Sequence, residues 1–342
     1  MTTSAPTPVS PVQAEALRQG IAPPLEQIRE GIWTLAIPAD GGVANATLTY
    51  VLEGTDGSLT LLDPGWGTAS ALAVLDDGLR QLGRSIADVG FVVVTHLHAD
   101  HLGAAAAVRR ASGARIAIHG NELAAIEHQD ADRRADEADI AAWGAPEPLR
   151  AGLTRAWGTG RRLPGAAAGE TSADVRIGDD DVLPIPGRTL RAVWTPGHTT
   201  GHLCFVDEAA GLLFTGDHVL PRINSGIGLG GRSATNPLED FLSSLDRIAA
   251  FPGVEVCPGH EYRFADVAAR AAALADHRRQ RNAFVADALD AVDRPTMWEV
   301  ASRVPFTGGI ASMSGLVLAS ALAQTSFHVR LLGREDEVAS AS

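Results

Sequence analysis

The stretch THLHADHLG, residues 95–103, sets three histidines and one aspartate within six positions, and no other part of the chain limits the fold so sharply. It ends VGFVVV, a continuous apolar run of the kind a strand buried on both faces needs. An Ala-rich segment over 102–111 follows as a helix, and ARIAIHG returns as a strand. Strand, helix, strand is the rhythm of an α/β fold, and the cluster then lies where open α/β sheets place their ligands. His96 and His98, two residues apart, point the same way and can grip one cation, while Asp100 and His101 turn towards a second position. Imidazole with carboxylate suits zinc and other divalent first-row metals.

One cluster has too few donors for two ions, so more histidine and aspartate should stand at later strand ends. TPGHT ends a strand at His198, LFTGDH at Asp217 and VCPGHEY at His260, each flanked by glycine, which permits tight turns. The proposed assignment gives His96, His98 and His198 to one ion and Asp100, His101 and His260 to the other, with Asp217 bridging; it uses five of the eleven histidines.

Elsewhere, residues 30–63 read as antiparallel strands with tight turns, and 68–82 as a helix with Leu72, Leu75, Leu79 and Leu82 at helical spacing. Residues 121–170 break the rhythm as a helical insertion holding Trp143 and Trp157. Strands resume with TLRAVWTPG, HLCFVDE and GLLFTGD, then a helix over 236–250 with Asn236 as cap and Pro237 in its first turn. From about 266 the chain turns helical. Three helices, one opened by Thr296 and Glu299 at capping-box spacing, and a short end strand suggest an appended winged-helix-like domain over 266–342. Residues 1–27 read as a flexible Pro/Ser/Thr leader without a secretory pattern, and no apolar run approaches the roughly 18–20 residues that span a bilayer. The expectation is a soluble cytoplasmic protein. A formal charge of −13 argues against general nucleic-acid binding, and two cysteines, Cys204 and Cys257, argue against a disulfide framework.

HLHADH, PGHTTGH, TGDH and PGHEY together resemble the metallo-β-lactamase superfamily, in its glyoxalase II-like hydrolase branch, over roughly residues 28–265. The resemblance implies an αββα sandwich with two divalent ions at one edge on the residues named above, zinc foremost, with iron or manganese as alternatives. LLDPG is similar to the superfamily's first motif, where Asp63 would be a carboxylate supporting the metal loop. DHVLPRINSGIGLG, NPLEDFLSSLDRI and the helical end resemble the subgroup with a C-terminal winged helix, which includes lactamase-like proteins with endoribonuclease activity. GHEYRF is similar to glyoxalase II, which hydrolyses hydroxyacyl thioesters. Many antibiotic-cleaving members use a cysteine where this chain has Asp217, and flavin-linked di-iron relatives carry a glutamate where it has His98. The insertion is larger than in glyoxalase II and is expected to fold over the metal edge.

Two cations can hold one water between them and lower its pKa to about 7, so that a bridging hydroxide attacks a carbonyl or phosphorus, with Asp100 orienting it. The leading reading is a dinuclear hydrolase of a carboxylic thioester, ester or lactone acting on a small-molecule acyl substrate. The alternatives are a metal-dependent phosphodiesterase or ribonuclease, a non-heme iron persulfide dioxygenase, and a nucleic-acid-binding regulator with a relic site. Weaker candidates are His202 within the metal loop, His218 facing substrate, Arg222 and Asn224 meeting an anionic group, and Tyr262 donating to an oxyanion. Structural alternatives stand beside them: a solvated loop for Arg222 and Asn224, packing for Tyr262; Trp143 and Trp157 line an apolar acyl pocket or form the insertion's own core. Arg278, Arg279 and Arg281 form a basic run that Asp276 and Asp287 turn into a mixed, solvated helix face. The small tail domain is expected to wall the active-site groove, and a homodimer is a further expectation.

Overall fold

Alternating side chains along the strands build two sheets that face each other. The structure is a computed structural model describing residues 5–39, 45–160 and 172–340. The first sheet runs, in spatial order, β1 (Glu26–Arg29), β2 (Ile32–Pro38), β3 (Ala46–Glu53), β4 (Leu59–Leu62), β5 (Val89–Val93), β6 (Arg115–His119) and β7 (Val175–Ile177). The second runs β8 (Leu190–Trp194), β9 (Leu203–Asp207), β10 (Leu212–Gly216) and β11 (Glu255–Pro258). Between them, Leu48, Tyr50, Phe91 and Val93 meet Phe205 and Phe214 in one buried cluster. The rings of Tyr50 and Phe214 pack edge to face, 4.9 Å between centroids. A register shift beside Gly90 pairs Leu59 with Val89 but Thr60 with Phe91. This one-residue slip lets Val89 face outward and Phe91 inward.

The outer faces are covered by helices. On the first sheet lie α2 (Ala69–Gln81), α3 (Ala99–Leu102) and α4 (Ala105–Ser112), with Leu75, Leu79, Leu102 and Val108 buried against it. On the second lie α7 (Pro237–Ala249) and α8 (Val267–Asp290), through Phe241, Leu245, Ile248 and Leu274. Asn236 caps α7 by accepting from the Leu238 N–H at 3.1 Å, and Pro237 fills the first turn, as the sequence signals. The layers are those of the αββα sandwich.

Strand direction explains why the distant motifs meet. β4 and β5 are parallel, so Asp63 and His96 leave the first sheet at the same edge. β8 and β10 are each antiparallel to β9, and β11 is parallel to β10. The loops bearing His198, Asp217 and His260 therefore leave the second sheet at one edge as well.

Three expectations need correction. Residues 5–27 are not a flexible leader. Ser10 caps α1 (Pro11–Gln19), the Val9 N–H donates to the Arg263 carbonyl at 2.9 Å, and the Gln13 side chain accepts from the Arg263 N–H at 2.8 Å. The anchors lie some 250 positions away, where local composition cannot show them. Second, the insertion does not lie over the metal edge among the described residues. Its helices α5 (Gly120–Ala142) and α6 (Glu147–Gly160) pack on the tail helices α9 (Met297–Arg303) and α10 (Gly315–Leu331) through Ile140, Leu153, Trp157, Ala301, Leu318 and Leu322; positions 161–170 of the insertion lie outside the described residues. Third, the tail's ribbon reduces, among the described residues, to one parallel bridge between Thr296 and Ala339. The Thr296–Glu299 capping box is present. No described helix is long and apolar enough to cross a membrane.

Gly197, immediately before His198, has φ +133°, and a Cβ there would stand 2.5 Å from the Phe241 Cα. Gly197→Ala should lower stability by about 1–3 kcal/mol. Chemical denaturation should show an earlier midpoint with an unchanged slope; an unmoved midpoint would mean the loop tolerates a side chain and is not held against α7.

Candidate metal centre

Four strand-end loops deliver seven donors to one edge. The His96, His98, His198 and Asp217 ligand atoms lie within 4.8 Å of one another, as do those of Asp100, His101 and His260. Asp217 stands between the sets: Oδ1 is 3.4 Å from His101 Nε2 and 3.2 Å from His260 Nε2, and Oδ2 is 3.8 Å from His198 Nε2. This is the grouping the sequence suggests, with Asp217 shared.

The remaining ring nitrogens show whether these donors fit metal. His98 Nε2 donates to the Leu229 carbonyl at 3.0 Å, His198 Nδ1 to that of Gly226 at 2.8 Å, and His260 Nδ1 to that of Ala46 at 2.8 Å. Thr95 Oγ1 donates to Asp63 Oδ2 at 2.8 Å, so it accepts from His96 Nδ1 at 2.9 Å. His101 Nδ1 lies 2.8 Å from Asp63 Oδ2. A carbonyl only accepts, so each tautomer is fixed. His98 is left presenting Nδ1 and the other four Nε2. His98 Nδ1 then faces His96 Nε2 at 2.9 Å and His198 Nε2 at 3.2 Å, three lone pairs converging with no proton to share. His101 Nε2 and Asp217 Oδ1 are buried without a hydrogen-bond partner. Such a set is satisfied by cations, and the donors fit two divalent ions.

The two sets differ in charge. Burial, aided by the neighbouring imidazoles, lowers the pKa of His96 well below its usual value and that of His198 to about 4. Burial also lowers His98, against the pull of Asp100. In the other set burial opposes the charged forms, but the carboxylates prevail. Asp100, Asp217 and Asp63 hold His101 well above the usual histidine range, and Asp217 and Asp100 raise His260 to about 10. Reciprocally, His101 and His260 hold the carboxyls of Asp100 and Asp217 low despite burial. Protons thus occupy the second set when cations do not.

Behind the donors stand groups that aim them. Asp63, with φ 55°, receives the Thr95 N–H at 2.8 Å as well as His101 and the Thr95 hydroxyl, so it does support the metal loop. His202 is fully buried between Thr195 Oγ1 at 2.9 Å and the Asp217 N–H at 3.2 Å and holds the backbone of the shared ligand. Glu122 gave no signal in the sequence beyond opening an Ala-rich helix. Its carboxyl, fully buried, accepts the Leu97 N–H at 2.7 Å and the Gly201 N–H at 2.5 Å, tying two ligand loops together. Burial raises it to about 7. Gly259 is required beside His260, since a Cβ there would stand 2.7 Å from His101 and 2.8 Å from Asp217 Oδ1.

The other candidates divide. A cavity of about 670 Å³ opens over His98, Asp100, His198, Asp217 and His260, and Asn224 lines it. Asn224 Oδ1 is already 3.2 Å from Arg270, which also fixes the Leu220 and Ile223 carbonyls. Arg222 does not line the cavity, and its side chain is exposed. Tyr262 is not an oxyanion donor: its hydroxyl donates to the Pro6 carbonyl at 3.2 Å. His218 is buried beside Phe241 and outside the cavity lining, with burial lowering it to about 3. Trp143 and Trp157 line a separate cavity of about 380 Å³ against the tail. Arg278 is buried and Arg281 half-buried on the metal cavity's wall, while Arg279 pairs with Asp276 in solvent, so the basic run is not one solvated face.

The family model described as metallo-beta-lactamase superfamily matches residues 42–260. Among curated proteins, the chain is 32% identical over 240 residues to the hydroxyacylglutathione hydrolase of Cupriavidus taiwanensis, covering 66% of this chain and 72% of that one. It is 26% identical over 269 residues to the lactamase-like protein adaB of Aspergillus niger, covering 78% and 67%. Among solved structures, a metallo-beta-lactamase family protein of Thermus thermophilus superposes with a TM-score of 0.66 at 28% identity, over 91% of this chain and 95% of that one.

The charge difference between the donor sets should appear in metal titrations. Zinc entering the His96–His98–His198 set displaces no proton above pH 6, whereas entry beside His260 and His101 must expel theirs. Competition with a weak chelator at pH 6, 7 and 8 should give one affinity that is flat with pH and one that tightens by about tenfold per unit for each proton displaced. Two affinities of equal slope would contradict the assignment of charge.

Proposed function

The chain belongs to the metallo-β-lactamase superfamily, and from that premise we propose that it hydrolyses a carboxylic thioester, ester or lactone with two divalent ions, zinc foremost. The pair of donor sets joined at Asp217 carries the proposal. When bound, the two ions supply Lewis acidity and a lowered pKa for water. His98, His198, Asp217 and His260 form the cavity floor and would hold the ions where an acyl carbon can reach them. Asp100 also opens to the cavity, with its carboxyl held ionised by His101 and His260 against burial, and would orient the attacking water. The water oxygen joins the acyl carbon, the C–S or C–O bond breaks, and the proton leaves with the thiol or alcohol.

Neither cysteine competes for the role of nucleophile. Cys204 and Cys257 are buried away from the cavity, and burial pushes the Cys204 thiol up to about 12. Most of the wall is apolar, which suits an acyl group. Trp66, Leu220, Ile223, Leu229, Met313 and Leu316 surround the space above the donors, a lining suited to an apolar body. The likeness to a hydroxyacylglutathione hydrolase supports the same reaction class.

Zinc-loaded protein should hydrolyse an acyl thioester, an aromatic ester or an acyl-homoserine lactone and lose that turnover to a chelator. A phosphodiester and a short RNA in the same panel should remain intact; cleavage of those alone would transfer the assignment to nuclease chemistry. Asp217→Ala should lose most bound metal and nearly all hydrolysis, and retention of both would remove the shared ligand from the account.

A further inference from the structure

The cavity above the metal edge has a second pole, built by the C-terminal helices. Arg278 on α8 lines its wall and is only 5% exposed. Its guanidinium donates to the Ser225 carbonyl and, at 2.8 Å, to Gln324 Oε1, and stands 5.6 Å from the centre of the Phe241 ring. Its Nε is buried without a partner. Arg281, three residues further along the same wall, donates to the Pro305 carbonyl at 3.1 Å and sits 4.5 Å over the Phe306 ring. All of these partners are neutral. No carboxylate pairs with either arginine among the described residues.

Of the other buried arginines among the described residues, Arg270 likewise donates only to neutral groups but does not line the cavity. Arg263, 3% exposed, is met by Glu255 and Glu26. A buried cation without a counter-ion costs stability, and it persists where something else supplies the negative charge. Burial holds the Arg278 pKa down to about 10, so it remains charged at neutral pH. His277 and His328, on the same wall, are lowered by burial to about 4 and about 3 and are neutral there. Among the described residues the only acids lining the cavity are Asp100 and Asp217, both engaged at the metal edge. The rest of the lining is mostly apolar, and about 670 Å³ is far more than a two- or three-carbon acyl group fills.

We propose that this cavity is an acyl subsite for a large apolar acyl group ending in a carboxylate, with the scissile carbonyl at the metal edge and the remote carboxylate received by Arg278 and Arg281. The inference rests on the acyl-hydrolase reading for its orientation, but not for the existence of the basic pole.

Two measurements separate these. On the zinc-loaded full chain, the S-phenyl thioester of dodecanoic acid is compared with the mono-S-phenyl thioester of dodecanedioic acid, and binding of the two free acids is measured by calorimetry. The acid-ended thioester should be preferred by about tenfold or more in kcat/KM, and dodecanedioate should bind more tightly than dodecanoate by about the same factor. Both ratios should fall towards one in Arg281→Met and in Arg278→Met. Each ratio is internal to one protein, so a partly unfolded variant does not distort it, and Arg281→Met carries the test if Arg278→Met does not fold. A wild-type ratio near one, or ratios unmoved by either substitution, overturns the subsite. Binding preference that depends on the arginines without thioester turnover keeps the subsite and rejects the reaction assigned above. Turnover without preference rejects the subsite alone.

Discussion

Three backbone carbonyls, one threonine hydroxyl and one carboxylate decide which nitrogen of each histidine carries its proton, and the rest of the site depends on that decision. With those protons committed outward, the inward nitrogens of His96, His98 and His198 are lone pairs, with His98 Nδ1 2.9 and 3.2 Å from the other two. A cation relieves that repulsion. The sandwich supplies the mechanical answer. Its two sheets end their strands at a common edge, and buried groups behind that edge stop the loops from relaxing apart. Asp63 binds the β5 loop to β4, Glu122 ties the Leu97 and Gly201 loops, and His202 holds the Asp217 backbone. A buried Glu122, raised to about 7, is costly in isolation; its two short backbone contacts offset that cost by fixing ligand geometry.

The donors were legible because metal chemistry writes itself locally. HLHADH, and a glycine beside His198, Asp217 and His260, are signals in a handful of residues, and strand direction then gathers them without further information. What could not be read are contacts whose meaning lies across the fold. Glu122 looks like any acid in the first turn of an Ala-rich helix until the loop after β5 and the His198 loop are placed beside it. Ser10 and Pro11 do carry a helix-start signature, yet a Pro/Ser/Thr composition hid it, because the ordering of that segment comes from Arg263. Tyr262 sits two residues from a ligand, but in the irregular segment after β11 nearness in sequence does not fix direction, and its hydroxyl turns to Pro6. The basic run at 278–281 is the plainest case. Three arginines read as one solvated face divide into an exposed Arg279 and two that wall the cavity.

The C-terminal helices are therefore part of the site rather than an appendage. Arg270 fixes the loop after Asp217 through two carbonyls, and Arg278 holds Ser225, whose hydroxyl in turn donates to the Asp217 carbonyl. The shared ligand is thus braced from the sheet by His202 and from the tail by Ser225. The insertion helices contribute twice: α5 through Glu122 behind the ligand loops, and α6 by packing Trp157 and Leu153 against α10, which lines the cavity.

Anomalous diffraction from crystals grown with zinc would test the central claim most directly. The account requires two peaks about 3.5–4 Å apart, one bound by His96 Nε2, His98 Nδ1 and His198 Nε2, the other by Asp100, His101 Nε2 and His260 Nε2, with Asp217 between them. A single peak under saturating zinc, or His98 turned to bind through Nε2 with its contact to Leu229 lost, would contradict it.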